Sequence, residues 1–215
     1  MAARLASHRY GKHRVRVSKV RRPRQQAANQ ETHEFVEFAV DIELEGNFDS
    51  AYLEGDNSAV IATDTCKNTV YVLAQEDPLH SPESFGSVVA RHIVENIAQV
   101  DACQVRLREQ VWHRLLDSPH AFVANERSVP TACVRSESDG EPEVTSGVKR
   151  LLIAKTTESG FEGFDQSEFR TLADNNDRIL ATEMTAAWQY AGLPADFVNF
   201  RQQIIETLLN LSLIH

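Results

Sequence analysis

No run of about 18 apolar residues occurs in this chain, so no membrane-spanning helix is expected. The N-terminus lacks the apolar core of a secretory signal, and Leu213-Ile214-His215 matches no simple targeting tripeptide. Cysteine is scarce. Cys66, Cys103 and Cys133 are odd in number, widely spaced and without C-x-x-C pairing, which argues against a disulfide framework and a thiolate zinc site. Reduced, buried thiols in an intracellular protein are the expectation. Acidic residues are missing from the first 24 positions, which hold nine of the 22 Lys and Arg. All 31 Asp and Glu come later, and the net charge is −9. A basic arm suits nucleic acid or an acidic surface. Within it, however, Lys12 to Val20 alternates basic and apolar residues, the pattern of a half-buried strand. Aromatic or base-reading partners are absent, so nucleic acid is the weaker reading. An acidic body with a basic strand also suits self-association.

What is present is ordinary for a globular protein: 42% apolar and 25% charged residues over 215 positions, enough for one large domain or two small ones. Glu34 to Glu45 alternates apolar and acidic residues, with Phe35, Phe38, Val40, Ile42 and Leu44 as its apolar set. It is predicted to pair antiparallel with the first strand, acidic face against basic face. The intervening Arg21 to His33 is a loop by composition. Ser81-Pro82 reads as an N-cap and first-turn proline, and Glu83 as a complement to the helix dipole. Phe85, Val88, Val89, His92, Ile93 and Ile97 then recur at helical spacing, with His92 a packed residue rather than a ligand. Ala102 to Leu115 and His120 to Arg135 read as a hairpin, and His113 and His120 lack a third ligand at metal spacing. Ser136 to Pro142 looks like an interdomain linker. Strands at Val148–Thr157 and Ile179–Tyr190, a long loop between them, and a helix from Asp196 to Leu211 complete the chain. The order is strand, strand, helix, helix, strand, strand, then strand, strand, helix, as in a duplication stopped partway.

The chemistry-bearing stretch is Val60 to Tyr71. An apolar entry delivers Thr63-Asp64-Thr65, with Lys67-Asn68-Thr69 behind. Asp64 either caps a helix starting at Thr65 or presents a carboxylate at the mouth of a site. Thr65 to Gln75 is itself ambiguous between β-forming content and a short helix.

Tyr10-Gly11-Lys12, Asp56-Asn57-Ser58, Ala62-Thr63-Asp64-Thr65 and Lys67-Asn68-Thr69 resemble the opening of urate oxidases (uricases). The match continues through Ser81-Pro82-Glu83, Pro119-His120-Ala121-Phe122, Lys155-Thr156-Thr157, Ser159-Gly160-Phe161-Glu162-Gly163-Phe164, Thr171-Leu172, Asp177-Arg178-Ile179-Leu180-Ala181-Thr182 and Trp188. The blocks run in family order from residue 10 to about 190. The resemblance implies an α+β fold of tandem tunnelling-fold (T-fold) units, each an antiparallel four-stranded sheet backed by two helices. The first unit would span residues 1–137 and an incomplete second unit 138–215. It also makes Thr65–Gln75 a helix and implies a homotetramer with active sites between subunits.

By the same resemblance, Phe161 stacks on urate, Arg178 clamps its edge, and Leu172 supplies an apolar wall. Thr63 and Asp64 reach the substrate from a neighbouring subunit, with Lys12 bonded to the threonine. Lys12 as base and Thr63 as proton conduit would let urate give electrons to dioxygen without metal or organic cofactor, yielding 5-hydroxyisourate and hydrogen peroxide. A glutamine, an asparagine and a histidine of the family site have no counterpart here, and no motif supports His215 as that histidine. The expectation is a C-terminally truncated urate oxidase. The alternative is an inactive fragment or pseudo-enzyme that binds purine or oligomerises without turnover. A pterin- or nucleotide-handling relative with metal chemistry would need clustered Cys and His ligands, which the sequence lacks. The expected address is cytoplasmic, or peroxisomal for a eukaryotic full-length chain with a C-terminal signal.

Overall fold

The computed structural model describes residues 4–22 and 32–210. Residues 23–31 of the predicted loop and residues 211–215, His215 included, lie outside the described residues. β1 (Tyr10–Arg21) and β2 (Glu34–Gly46) form the predicted antiparallel pair. β2 buries Phe38, Val40, Ile42 and Leu44 on one face. Its other face meets β1 through an ion pair between Arg16 and Glu37. The Arg21–Glu34 pair lies instead on the helix-covered face, where Arg21 also donates to the Pro78 and Leu79 carbonyls. Phe35 departs from the expected apolar set. Its odd position puts it on the face of Glu37, against Trp112 and Phe122, with ring centroids 5.1 and 5.9 Å away.

A short α1 (Asp49–Leu53) precedes α2 (Thr63–Glu76) and α3 (Pro82–Asn96). The ambiguous segment is helical, and it starts earlier than Asp64 capping requires. Ala62 occupies the N-cap and makes no side-chain cap bond, while Asp64 lies in the first turn. At α3 the predicted cap is present. Ser81 Oγ accepts the Ser84 N–H at 3.1 Å, and Ser84 Oγ accepts the Ser81 N–H at 3.3 Å. Gly86 lets this helix approach the sheet closely, since a Cβ there would lie 2.7 Å from Leu107 Cδ1.

The predicted Ala102–Leu115 strand divides at Gln110. β3 (Val100–Glu109) stays in the main sheet, whereas β4 (Val111–Arg114) turns away to pair with β5 (Phe122–Asn125) in a separate hairpin. Gln110 holds the pivot, its N–H donating to the Glu37 carbonyl at 2.9 Å and its amide to the Asn125 carbonyl at 3.1 Å. β6 (Val129–Glu137), β7 (Glu143–Lys155), β8 (Leu180–Gln189) and α4 (Phe197–Asn210) follow.

The main sheet is antiparallel with order β1-β2-β3-β6-β7-β8. The supposed linker is the turn of the β6–β7 hairpin, paired from Val129↔Lys149 to Arg135↔Glu143. The backbone ladder therefore crosses the boundary drawn at residue 137 without a break. α2 and α3 cover one face of the sheet, burying Val70, Phe85, Val89 and Ile93 against Val105, Leu107 and Val134. α4 packs on the same side through Ile205 and Leu209 against Val148, Leu151 and Ile153.

Glu83, read from sequence as a dipole complement, is fully buried. Its Oε1 accepts the Ser146 hydroxyl at 2.8 Å, and Ser146 Oγ accepts the Tyr190 hydroxyl at 2.6 Å. Arg201 from α4 lies 3.7 Å from Glu83 and 3.9 Å from Glu109. This polar group ties the start of α3 to β7, the end of β8, and α4.

Candidate functional site

Lys12, Thr63 and Asp64 meet where β1 passes the start of α2. Between Lys12↔Ile42 and Val15↔Val40 one residue of β2, Asp41, opposes two of β1, His13 and Arg14, a bulge with Arg14 at φ 58°. The inserted residue resets the alternation. Lys12 falls opposite Ile42 on the helix-covered side, the side of Val15 and Val17, instead of on the solvated face. Its charge is felt at Asp64 and at the buried Cys66 thiol. Gly11 is required next to it, because a Cβ there would overlap the Ile42 carbonyl oxygen. Tyr10 completes the arrangement: its hydroxyl accepts the Ile61 N–H at 2.8 Å, fixing the entry to α2. The Lys67 ammonium donates to Asp64, and this bond and charge, aided by Asn68 and Lys12, hold the Asp64 carboxyl below its ordinary range. Asp64 itself is exposed.

Phe161, Leu172 and Arg178 sit on the long connection between β7 and β8. Its limbs are tied together by paired Phe161 and Asn175 backbones (2.6 and 2.9 Å) and by the Arg178 N–H on the Ser159 carbonyl at 3.1 Å. Asp177 accepts from the Thr157 hydroxyl at 3.1 Å and the Glu158 N–H at 2.8 Å. Phe161 stacks on Phe164 with centroids 4.1 Å apart and planes 7° from parallel. The Arg178 guanidinium lies over the Phe161 ring at 4.9 Å, and Arg170 over Phe164 at 4.3 Å. Arg170 also holds the Leu172 carbonyl at 2.7 Å and Asp174 at 2.6 Å, leaving the Leu172 side chain half exposed. Sequence reasoning gave no role to Phe164 or Arg170, although Phe164 stood within the quoted glycine- and phenylalanine-rich block.

The two groups of residues belong to opposite edges of the sheet. β1 is one edge, and β7 and β8 form the other. Five strand spacings of about 4.8 Å put them roughly 24 Å apart across the sheet, far more than a purine spans. The histidines are dispersed as well: His113 pairs with Asn125 at 2.9 Å, while His120 lies against His33. Among the described residues no group of three or more His, Cys, Asp or Glu side chains is placed to hold a metal ion.

An antiparallel sheet backed on one face by helices, with polar loops at its far edges, defines the α+β class that uricase T-fold structures share. The chain superposes on the crystal structure of uricase from Arthrobacter globiformis with a TM-score of 0.80 at 33% identity, covering 97% of this chain and 70% of that one. A uricase from Bacillus fastidious superposes with a TM-score of 0.74 at 22% identity, a likeness of fold. The uricase family profile matches residues 8–135 and 144–212, its gap falling on the β6–β7 turn. Uricase from Dictyostelium discoideum is 39% identical over 207 residues, 94% of this chain and 70% of that protein. Uricase-2 from Phaseolus vulgaris is 38% identical over 85% of this chain and 59% of its own length. The chain belongs to the uricase family. It spans 61% of the curated A. globiformis uricase and between 59% and 70% of the others named here.

Proposed function

We propose that this chain forms half-sites of a urate oxidase, each completed by a second copy. Lys12, Thr63 and Asp64 of one subunit would face Phe161, Leu172 and Arg178 of its neighbour. The observation that carries this reading is the separation of the two groups to opposite sheet edges, which leaves a site within one subunit unable to use both. In the shared site Phe161 supplies a face for the flat purine and Arg178 a planar fork for its oxygen and nitrogen edge. Lys12 removes a proton through the Thr63 hydroxyl. The urate dianion then passes two electrons to dioxygen, and water adds to the oxidised ring. Urate, O2 and water become 5-hydroxyisourate and H2O2, in balance. The electrons come from the substrate, so this route calls for no resident metal or organic cofactor.

A second reading rests on the stack itself. Phe161 already has Phe164 stacked on it and the Arg178 guanidinium over its ring, so a purine that stacks where either sits must displace it. A chain that oligomerises or binds purine without turnover fits that arrangement. The purified 215-residue chain in aerated buffer with excess chelator distinguishes the two. Loss of urate's ultraviolet absorbance with equimolar peroxide supports the oxidase. Purine binding or self-association with neither signal supports the second reading and sinks the first.

A further inference from the structure

The sheet face turned away from the helices carries cations in a chain that is acidic overall. One transverse row of that face runs Arg16, Ala39, Arg108, Thr131, Gly147, Ala187 by strand register. After the arginines its side chains are short, so the row forms a trough. Two concavities of about 550 Å³ each open on this face, and both are lined by Arg14, Arg108 and Lys149. Neighbouring arginines are committed: Arg16 to Glu37, Arg106 to Glu43 at 2.8 Å, and Arg150 to Glu126 at 3.4 Å. The side chains of Arg14, Arg108 and Lys149 have no carboxylate partner among the described residues. The nearby acids are occupied, since Glu37 also takes the Trp112 N–H at 3.2 Å and Asp41 takes the Arg14 backbone N–H at 2.6 Å. With 31 acids to 22 bases, chance pairing would leave carboxylates over, not three convergent cations. Arg14 additionally sits at the bulge in a left-handed conformation, a strained backbone that places it at the rim of both concavities.

We propose that this face binds a polyphosphate anion, free or carried by a nucleotide, between Arg14, Arg108 and Lys149. The three cations come from β1, β3 and β7, each two strand spacings from the next, about 10 Å at the backbone. Side chains of that length converge on a row of charge several ångströms long. A single phosphate meets one or two of them, whereas a triphosphate chain meets all three. Guanidinium forks give paired bonds to phosphate oxygens, and the lysine adds a point charge. This site is independent of the urate reading and stands or falls without it.

Calorimetric titration of the full chain with tripolyphosphate, ATP without magnesium and inorganic phosphate tests it. Expected are one saturable tripolyphosphate site per chain, at least tenfold weaker binding of inorganic phosphate, and a loss of affinity with added salt. ATP equal to tripolyphosphate assigns recognition to the phosphate chain alone, and tighter ATP binding adds the nucleoside. R108Q and K149Q should each weaken tripolyphosphate about tenfold, while R91Q, an exposed arginine elsewhere, leaves it unchanged. Acylation mass spectrometry on the unmutated protein gives a second measurement, in which tripolyphosphate protects Lys149 but not Lys67. No saturable binding, equal affinity in R108Q and R91Q, or equal acylation of Lys149 with and without the anion would overturn the proposal.

Discussion

Replacing Glu83 probes the bond between the two parts of the chain. Its carboxylate is fully buried, bonded to Ser146 at 2.8 Å and 3.7 Å from Arg201, whose side chain is 12% exposed. Glu83→Ala leaves the Ser146 hydroxyl without its acceptor and Arg201 with Glu109 alone, at 3.9 Å. An orphaned buried hydrogen-bonding group costs about 1–3 kcal/mol, and breaking a buried ion pair about 3–5 kcal/mol. Because Arg201 keeps Glu109 and the Glu83 contact is longer than a hydrogen bond, the expected loss lies near the lower end, about 3 kcal/mol. At about 2–4 °C per kcal/mol for a chain of this size, the unfolding midpoint falls by roughly 6–12 °C. Glu83→Gln keeps an acceptor for Ser146 and should lose about half as much. Calorimetry on E83Q, R201Q and the double variant gives the coupling directly. A coupling above about 1 kcal/mol is expected. Under about 0.3 kcal/mol, additive behaviour would refute the idea that this pair fastens α4 to the start of α3.

Glu109 is pushed above the ordinary glutamate value chiefly by burial, with Glu83 adding and Arg201 and Arg21 opposing. A raised folded-state value means the folded chain holds the proton longer, so this residue's contribution falls as pH rises from 4.5 through the raised value; E109Q should flatten that slope in urea midpoints measured across the range. Asp64 is held low first by Lys67 and more weakly by Lys12, so NMR titration should find its pKa raised more by K67M than by K12M; the reverse order would place Lys12 closer than the structure does. Gly86→Ala puts a methyl 2.7 Å from Leu107 Cδ1 and 2.9 Å from Val134 Cγ2, and overpacking of that kind should lower stability by about 1–3 kcal/mol in a denaturant titration.

The sequence by itself determined the elements whose signal is local. Alternation in β1 and β2 marked a two-faced strand pair, and Ser81-Pro82 marked the start of α3, because period and capping are written within a few residues. Blocks in family order drew attention to Lys12, Thr63, Asp64, Phe161, Leu172 and Arg178, whose joint role is the proposal made above. Tertiary structure decided what depends on partners distant in the chain. The bulge that turns Lys12 toward α2 exists only through the register with Ile42 and Val40, and period-two reading cannot see one inserted residue. The continuity of the sheet through Ser136–Pro142 was hidden because a polar, Gly- and Pro-containing turn looks the same in a hairpin as in a linker. Phe35 already stood apart from the even-numbered apolar set by its odd position; what only the fold supplied is its partners, Trp112 and Phe122, from a separate hairpin. Glu83 read from sequence as a complement to the helix dipole. Only the packing of β7 and α4 over it, bringing Ser146 and Arg201, makes burial of a carboxylate there tolerable.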